Sequence, residues 1–421
     1  MMQSQRERDA FDRVDPLRTM RHRFARPHGR AGADDSHGEV AYLCGHSLGL
    51  MPSAARDDVE AVLDAWASLG VEGHFDGADP WYRYDEALAP AMAALVGAEQ
   101  GEVALMGTLT ANLHHLFASF FEPSGRRTKI LIEATTFPSD RYAVIAQLRW
   151  HGLDPREHLV EVEPDPAGLY GIDCWRDVLA ERGEEIALVW LGGVNYLTGE
   201  SLDVPGIVAA GHRAGCLVGF DLAHAAGNVA LQLHAWDVDF AVWCTYKYLN
   251  AGPGAVAALF VHQRHGTDPR RVRLAGWWGN DPATRFDMPL DFVPVSGAAG
   301  WRMSNPPILS LAPLRASLAL FAEAGAEPLH TKSRALSTYA IAQLSALGSV
   351  EVLTPTDPQR RGSQVSIKVP GRAVMLERAL RERGVLVDVR PPDVVRFAAV
   401  PLYCSMRDVG RLIEAVQSVC D

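Results

Sequence analysis

Two ionisable residues stand directly after apolar stretches that read as buried strands. Asp221 follows "CLVGF", and Lys247 follows "FAVWCTY" and precedes a turn with Gly252, Pro253 and Gly254. A lysine beside an apolar strand is costly to bury while it is charged. Because ligands of open α/β sheets bind outside the carboxyl ends of the strands, we expect this amine and this carboxylate at one sheet edge. Taken alone, Asp221 is more typical of the N-cap of a following helix.

An amine and a carboxylate in a dry site are what pyridoxal phosphate (PLP) needs. The aldehyde of the cofactor forms a Schiff base with a lysine, and a buried carboxylate keeps the ring nitrogen protonated, so that the ring can act as an electron sink. Only a neutral amine attacks the aldehyde, and a desolvated site favours that neutral form. The chemistry therefore explains why Lys247 stands in an apolar setting.

The phosphate of the cofactor also needs a site, and "MGTLTANLHHLFASFF" (106–121) offers one. Thr108 and Thr110 stand at the expected start of a helix, whose free N–H groups and dipole favour an anion. A threonine that only caps the helix is, by itself, the more common arrangement. Tyr246 beside the lysine offers a hydroxyl, and the paired tryptophans in "AGWWGND" offer an indole N–H.

Three further side chains fit the rest of such a site. Phe137 and Asp140 follow a strand in "EATTFPSDRY" (133–142), and Phe137 could pack against a cofactor ring. Arg396, in the apolar run "VVRFAAV", would bind the carboxylate of an amino-acid substrate through paired hydrogen bonds. The alternatives are that Phe137 belongs to the core, that Asp140 is a surface turn residue, and that Arg396 faces solvent as most strand arginines do.

The pattern of elements predicts a large α/β domain followed by a small α+β domain. Between about residues 85 and 262, short apolar runs alternate with helical stretches, which is typical of a mainly parallel sheet covered by helices on both faces. The predicted strands are 129–134, 185–193, 216–224, 239–246 and 255–262, with a crossover helix at 207–215. Beyond these, we predict helices at 308–325, 373–384 and 405–420 and strands at 362–370, 385–390 and 394–400. The predicted domains are an N-terminal arm (1–40), the large domain (41–310) and the small domain (311–421).

Composition narrows the class of protein further. The chain has 421 residues, of which 48% are hydrophobic, as expected of a globular protein with a sizeable core. The net charge of −11 argues against nucleic-acid binding. The six cysteines are scattered without a CxxC pair, so we predict free thiols in a reducing compartment and no metal site. The N-terminus lacks a signal-peptide core and no apolar run approaches a membrane span, which predicts a cytoplasmic protein without a membrane partner.

Six stretches together resemble the kynureninase family. They are "LTANLHHL", "EATTFPSDRYA", "FDLAHAAGN", "WCTYKYLNAGPG", "GWWGND" and "RMSNPPIL". Each is weak alone, but six in order are highly specific, and the resemblance runs from about residue 42 to residue 405. "SNPP" with "FPSD" points to this family rather than to relatives that share only the lysine after a tyrosine. The resemblance implies the PLP-dependent transferase fold of type I, the fold of aspartate aminotransferase.

The resemblance also implies a role for each matching residue. Lys247 would bind the cofactor aldehyde and Asp221 its ring nitrogen, with Tyr246 as an acid–base helper. The other implied cofactor-binding residues are Leu109, Thr110, Phe137, Asp140, His224, Trp277 and Asn305, and the implied substrate-binding residues are Arg396, His74, Ser304 and Asn305. Similar enzymes share sites between subunits, so a homodimer is implied, with Trp277 and Asn305 acting across its interface. A small hydroxyl residue of the family is Gly192 here, which weakens one expected cofactor contact.

The implied reaction is the hydrolysis of L-kynurenine or 3-hydroxy-L-kynurenine to L-alanine and anthranilate or 3-hydroxyanthranilate. His74, Ser304 and Asn305 present polar groups where similar animal enzymes act on the 3-hydroxy substrate, so we expect a preference for it. Alternatives are another enzyme of this fold, either an aminotransferase or a cysteine desulfurase using Cys404, and a non-catalytic PLP-binding regulatory protein. Tryptophan catabolism, the supply of NAD precursors and an antibiotic pathway all stay open as roles.

Overall fold

The computed structural model describes residues 5–27, 39–268 and 270–420. Its helices are α1 (Gln5–Val14), α2 (Ala55–Leu69), α3 (Tyr84–Val96), α4 (Leu109–Phe120), α5 (Pro138–Trp150), α6 (Pro155–His158), α7 (Ile172–Arg182), α8 (Val204–Arg213), α9 (Gln263–Gly266), α10 (Ile308–Ala324), α11 (Ala326–Ser345), α12 (Ala373–Glu382) and α13 (Met406–Cys420). Its strands are β1 (Ala41–Tyr42), β2 (Val103–Leu105), β3 (Lys129–Glu133), β4 (Leu159–Val162), β5 (Ile186–Gly192), β6 (Leu217–Asp221), β7 (Phe240–Cys244), β8 (Ala257–Val261), β9 (Glu351–Val352), β10 (Gln364–Lys368), β11 (Val385–Leu386), β12 (Asp388–Arg390) and β13 (Val394–Ala398).

A seven-stranded sheet forms the centre of the chain, in the order β2-β8-β7-β6-β5-β3-β4. Five neighbouring strands are paired in parallel, in the order β4, β3, β5, β6 and β7. In contrast, β8 is antiparallel to both of its neighbours, β7 and β2. The prediction of a mainly parallel, mixed sheet covered by helices is confirmed. The five predicted strands correspond to β3, β5, β6, β7 and β8, each within a few residues.

Aromatic packing fixes the relative position of these strands. All five residues of β7 are buried, as expected of a strand covered on both faces. Trp190 of β5 stacks on Phe240 of β7 with ring centroids 5.6 Å apart, and Phe117 of α4 packs edge-on against Trp190 at 5.1 Å. The helix α4 is therefore held against β5 and β7, the two strands that flank β6, which ends at Asp221.

Two strands at the ends of the sheet, β2 and β4, were not among the predicted strands. β2 has three residues, too few to show a period of its own. β4 alternates between buried and exposed positions, with Glu161 exposed, as expected at a sheet edge. Their pairing with longer neighbours, rather than their own sequence, defines them.

The C-terminal part contains a four-stranded antiparallel sheet in the order β12-β13-β10-β9. The helices α11 and α12 both pack against α13 beside it. β1 pairs in parallel with β11, and α1 packs against α13, so the N-terminal residues join the C-terminal elements. The domain limits at residues 40 and 310 stay a prediction, and α10 crosses the second of them. Residues 1–4 and 28–38 of the predicted arm lie outside the described residues.

Among the described residues, each helix taken alone is too short or too polar to cross a membrane. The consecutive helices α10 and α11 reach the length and hydropathy of a membrane span only when they are taken together, and they are bent by 86° at their junction.

Candidate active site

The carboxyl ends of the central strands meet at a cavity of about 360 Å³. β3 ends at Glu133, β5 at Gly192 and β6 at Asp221, and all three residues line the cavity together with Lys247, which follows β7. This is the sheet edge at which α/β proteins bind ligands. The cavity brings together most of the residues predicted from the sequence, namely Leu109, Thr110, Phe137, Asp140, Asp221, His224, Tyr246, Lys247 and Arg396.

Lys247 lies on a tight loop that is held from two sides. Asn250 N donates to Lys247 O at 3.0 Å, and Gly49 N donates to Tyr246 O at 2.8 Å. Gly49 has no room for a side chain, because a Cβ atom there would lie 2.3 Å from Lys247 O. The segment 46–50 therefore closes directly against the lysine loop, and its close approach requires glycine.

Asp221 and Asp140 place two carboxyl groups in the cavity. Desolvation, together with the charge of Asp221, raises the pKa of Asp140 well above its usual value. Desolvation also raises the pKa of Asp221, although the charge of Lys247 opposes the shift. Asp221 Oδ1 accepts a hydrogen bond from Ala223 N at 2.7 Å, so it stabilises a turn and not the helix that its alternative reading required. Within the described residues, Asp140 Oδ1 is buried without a hydrogen-bond partner.

Two histidines beside these carboxyl groups are held in their neutral form. Burial, aided by the charge of Lys247, lowers the pKa of His224 well below its usual value. Burial lowers the pKa of His46 to about 4, although the carboxylate of Asp388, 3.6 Å from Nε2, opposes the shift. Neutral imidazoles can exchange hydrogen bonds with a bound group without adding charge to the cavity.

The starts of two helices meet at one corner of the cavity. α4 begins at Leu109, directly after the extended residue Thr108, and α5 begins at Pro138. Thr110 Oγ1 and Ser139 Oγ, one from each helix, lie 2.8 Å apart and line the cavity. Because free N–H groups and the helix dipole favour an anion at such a point, this corner suits the cofactor phosphate.

Phe137 lies at the cavity wall and is not part of the core. Its side chain is 43% exposed, and its ring packs edge-on against Tyr196 at 5.1 Å. One face of the ring is therefore accessible to a planar ligand in the cavity.

Arg396 is buried, although it stands in the middle of β13. Its side chain is 1% exposed and lines the cavity, so it does not face solvent. Nη2 donates to Asp388 Oδ2 at 2.7 Å, and Nη1 donates to Tyr196 O. Within the described residues Nε is buried without a hydrogen-bond partner. Although burial opposes the shift, His46 and Arg396 lower the pKa of Asp388 below its usual range, so Asp388 stays charged.

Four predicted residues lie outside this cavity in the single chain. His74 packs edge-on against Trp81 at 5.3 Å, and Trp277 Nε1 donates to Arg285 O at 3.1 Å. Ser304 and Asn305 line a separate cavity of about 220 Å³ beside α4. The roles of these four residues stay a prediction.

Sequence reasoning missed four residues that line the cavity, namely His46, Glu133, Asn195 and Tyr196. It also missed Asp388, which accepts a hydrogen bond from Arg396 without lining the cavity itself. Glu133 is the last residue of β3, and a polar residue directly after an apolar run was the available signal for it. Burial raises the pKa of Glu133 to about 7. Gly192, where a hydroxyl residue was expected, donates its N–H to Glu133 Oε1 at 2.8 Å. No local pattern marks Tyr196, because it lies 200 residues before Arg396. Asp388 lies opposite Arg396 on the neighbouring strand β12, and its contact depends on the register of that strand pair.

A second group of potential metal ligands, Glu102, His234 and His262, lies near the other edge of the sheet. Hydrogen bonds account for its arrangement. Glu102 Oε1 accepts from His234 Nδ1 at 3.0 Å and from Gln263 N at 2.8 Å. Glu102 Oε2 accepts from Glu99 N at 2.8 Å, so both of its oxygens are in use. We therefore assign no metal to this group.

The fold is shared with solved structures of a PLP-containing enzyme and of a cysteine desulfurase. The chain superimposes on a C-DES variant with glycine covalently linked to its PLP cofactor with a TM-score of 0.77, 18% identity and coverage of 94% of this chain and 98% of that chain. It superimposes on the cysteine desulfurase CsdA from Escherichia coli with a TM-score of 0.74, 18% identity and coverage of 96% and 98%. The fold and the lysine–carboxylate site together define the class of fold-type I PLP-dependent enzymes.

Relatives in sequence narrow this class to one family. The family model described as "Kynureninase C-terminal domain" matches residues 329–416. Kynureninase from Salinispora tropica is 48% identical over 100% of this chain and 98% of its own length. Kynureninase from Xanthomonas axonopodis pv. citri is 49% identical over 97% of this chain and 96% of its own length. The chain belongs to the kynureninase family, as its six motifs predicted.

Proposed function

We propose that this chain uses PLP and water to cleave the Cβ–Cγ bond of L-kynurenine or 3-hydroxy-L-kynurenine, releasing L-alanine and anthranilate or 3-hydroxyanthranilate. It would thus be a hydrolase of carbon–carbon bonds in ketonic substances. The observation that carries the proposal is that Lys247, Asp221 and Arg396 line one cavity in a chain of this family. The three side chains supply an amine for the cofactor aldehyde, a carboxylate for its ring nitrogen and a cation for the substrate carboxylate.

The cavity residues fit the cofactor at each of its ends. Lys247 would hold it covalently, Asp221 would pair with its ring nitrogen, and Phe137 would pack on its ring. The corner formed by Leu109 and Thr110 would hold its phosphate. When bound, the cofactor supplies an electron sink that stabilises negative charge on the substrate carbons next to the amine.

Lys247 and Tyr246 would move the protons of the reaction. With substrate bound, Lys247 Nζ would be the base that accepts the proton from the α-carbon. Burial, together with Cys244, raises the pKa of the Tyr246 hydroxyl above its usual value, so this group keeps its proton and can donate it. As a protonated hydroxyl beside Lys247, Tyr246 is the proposed donor of the proton to the carbon that becomes the methyl group of alanine.

Arg396 would orient the substrate by its α-carboxylate. The guanidinium is already held by Asp388 and by the main chain at Tyr196. A cation fixed in this way loses little conformational freedom when it binds a carboxylate. The aryl ketone of the substrate is thereby directed to the opposite side of the cavity.

A cysteine desulfurase would need an accessible, reactive thiol, and Cys404 does not provide one. Its side chain is 2% exposed, and Sγ lies 3.3 Å from Tyr42 O. Burial raises the pKa of the Cys404 thiol to about 12, whereas reactive cysteines carry lowered pKa values. Cys404 is therefore unsuited to be the nucleophile of a desulfurase, although the fold is shared with such enzymes.

A homodimer is the assembly that the surface favours. Phe75, Trp277, Phe286 and Leu290 are exposed apolar side chains, and Phe286 contacts both Phe75 and Trp277. Exposed apolar clusters of this kind mark interaction sites. Because His74 and Trp277 belong to this surface, a second subunit could place them in its partner's site. A cytoplasmic location and a role in tryptophan breakdown or NAD-precursor supply are further proposals that rest on the family alone.

The test of the proposed function is release of anthranilate and 3-hydroxyanthranilate by the purified holoenzyme. Release of either acid together with one equivalent of L-alanine is expected. If the cofactor binds but neither acid is released from its substrate, the kynureninase assignment is wrong, and a non-catalytic PLP-binding protein becomes the better reading.

We expect the enzyme to prefer 3-hydroxy-L-kynurenine, with kcat/KM about 10-fold or more above that for L-kynurenine. A site that hydrogen-bonds a hydroxyl penalises the analogue that lacks it, and Asn305 is the candidate partner. Steady-state kinetics with both substrates measure the ratio, and replacing Asn305 by alanine should reduce it. An equal or higher kcat/KM for L-kynurenine contradicts the prediction.

Replacing Gly49 by alanine should lower kcat/KM by about 10²-fold, because the new Cβ atom would push the Lys247 loop out of position. The matched control is Gly171→Ala, at a position where an added Cβ meets no atom within 4 Å. Kinetics and the absorbance of the bound cofactor are measured for both variants. Equal activity of the two would show that the loop tolerates the displacement.

A further inference from the structure

Glu133 is a buried residue of the cavity, and the proposed reaction does not use its carboxyl group. Its side chain is 2% exposed and lies at the end of β3. Oε1 accepts from Gly192 N at 2.8 Å, and Oε2 accepts from Asn195 Nδ2 at 2.7 Å. Glu133 thus joins the end of β3 to the turn that follows β5.

Asn195 organises that turn from the inside. Its Oδ1 accepts from the main-chain N–H groups of Leu197 and Thr198, both at 3.0 Å. Its Nδ2 donates to Glu133 Oε2 and also to Thr135 Oγ1 at 3.0 Å. The orientation of the Asn195 amide therefore depends on the carboxyl group of Glu133, which accepts the shorter of its two N–H bonds.

The next residue, Tyr196, carries the effect into the substrate site. Its main-chain oxygen accepts from Arg396 Nη1 and, at 2.9 Å, from Gln364 Nε2. Its ring packs edge-on against Phe137. A shift of this turn would therefore move the acceptor that orients the guanidinium of Arg396.

We propose that Glu133 is a positioning residue for the substrate: through Asn195 it fixes the main-chain oxygen of Tyr196, and thereby the guanidinium that binds the α-carboxylate. The inference rests on the proposed function, because it takes Arg396 as the carboxylate-binding residue. Glu133 itself touches neither Lys247 nor the helix starts at α4 and α5 through any hydrogen bond in the described part of the chain. Its replacement should therefore weaken substrate binding while leaving the chemical steps largely intact.

The first variant is Glu133→Gln, which keeps the size of the side chain. A glutamine has one acceptor oxygen, so it can serve Gly192 N or Asn195 Nδ2 but not both. We expect the dissociation constant of L-alanine, read from the absorbance of the bound cofactor, to rise about 10-fold or more, since a hydrogen bond to a charged group is lost. The expected kcat at saturating substrate is within about 3-fold of the wild-type value. Measurements at about pH 8 keep Glu133 ionised, since its pKa is about 7.

The decisive comparison is between the Asn195→Asp variant and a double variant in which donor and acceptor are exchanged. In Asn195→Asp the donor is lost and two carboxylates face each other, so weaker binding of L-alanine is again expected. In the double variant Glu133→Gln/Asn195→Asp, the glutamine amide can donate to the aspartate, which restores a bond between the two side chains. We expect this double variant to recover most of the lost affinity. The control is Glu161→Gln, on the exposed face of β4, which should bind as the wild type does.

Two outcomes would overturn the proposal. One is wild-type affinity for L-alanine in a folded Glu133→Gln variant. The other is equal loss in the single and double variants, which would indicate general destabilisation instead of a specific pair. The alanine titration does not need turnover, so a failure of the kynureninase assignment, seen as no product from the wild type, is distinguishable from a failure of this inference.

Discussion

Replacing Lys247 by alanine is expected to lower kcat by about 10³-fold or more, because one change removes both the covalent anchor of the cofactor and the base for the α-proton. The amine lies at the carboxyl end of the sheet among Asp221, Asp140 and Tyr246, and none of these can form the covalent bond in its place. The measurement is release of anthranilate or 3-hydroxyanthranilate by the variant after incubation with PLP.

A matched control separates this effect from a loss of folding. Lys368→Ala removes a half-exposed lysine from β10, where it pairs only with Glu351 in the described residues. This variant should keep wild-type activity, and both variants should unfold at similar temperatures. The absorbance band of the lysine-bound cofactor should be absent from Lys247→Ala alone. Retention of more than about a tenth of the activity by Lys247→Ala would contradict the assigned role.

Replacing Arg396 by lysine is expected to lower kcat/KM by about 10²- to 10³-fold, because the substrate carboxylate loses a buried, hydrogen-bonded charge partner. A lysine keeps the positive charge but cannot bond Asp388, Tyr196 O and a carboxylate in one plane. Because the α-carboxylate is bound in the ground state and in the transition state alike, most of the loss should appear in KM. Steady-state kinetics over a wide range of substrate concentration measure the division between KM and kcat.

The control for this experiment is Arg381→Lys, in the last turn of α12, where the guanidinium is 47% exposed and pairs with Glu377. It should leave both constants unchanged. Cofactor absorbance should be unchanged in Arg396→Lys, since Arg396 is not a predicted cofactor ligand. An unchanged KM in a folded Arg396→Lys variant would mean that another group, such as Arg390 in the same cavity, binds the carboxylate.

The sequence by itself determined the central sheet and the sheet edge of the site. The apolar runs that became β3, β5, β6, β7 and β8 are long enough to show their burial directly, and their order along the chain predicts a parallel sheet. Asp221 and Lys247 could be assigned because each follows its strand within a few residues. The helix start at Thr108 and Thr110 was readable for the same reason, since a helix terminus is a local feature. The pairing of an amine with a carboxylate already indicated PLP, and the family motifs added the expected reaction and substrate.

Only the tertiary structure decided how the substrate side of the cavity is built. Arg396 could have faced either side of β13, and its burial follows from contacts with Tyr196 and Asp388, which are distant from each other in sequence. Glu133 ends β3, and its partners Gly192 and Asn195 lie at the end of β5 and just after it. Glu133 and Gly192 are 59 residues apart in sequence, and they meet because β3 and β5 are neighbours in the sheet. Such contacts carry no periodicity and no spacing, because they arise when strands pair and side chains pack. Local chemistry is therefore legible in the sequence, whereas the relative orientation of groups from different strands is set by the packing of the whole sheet.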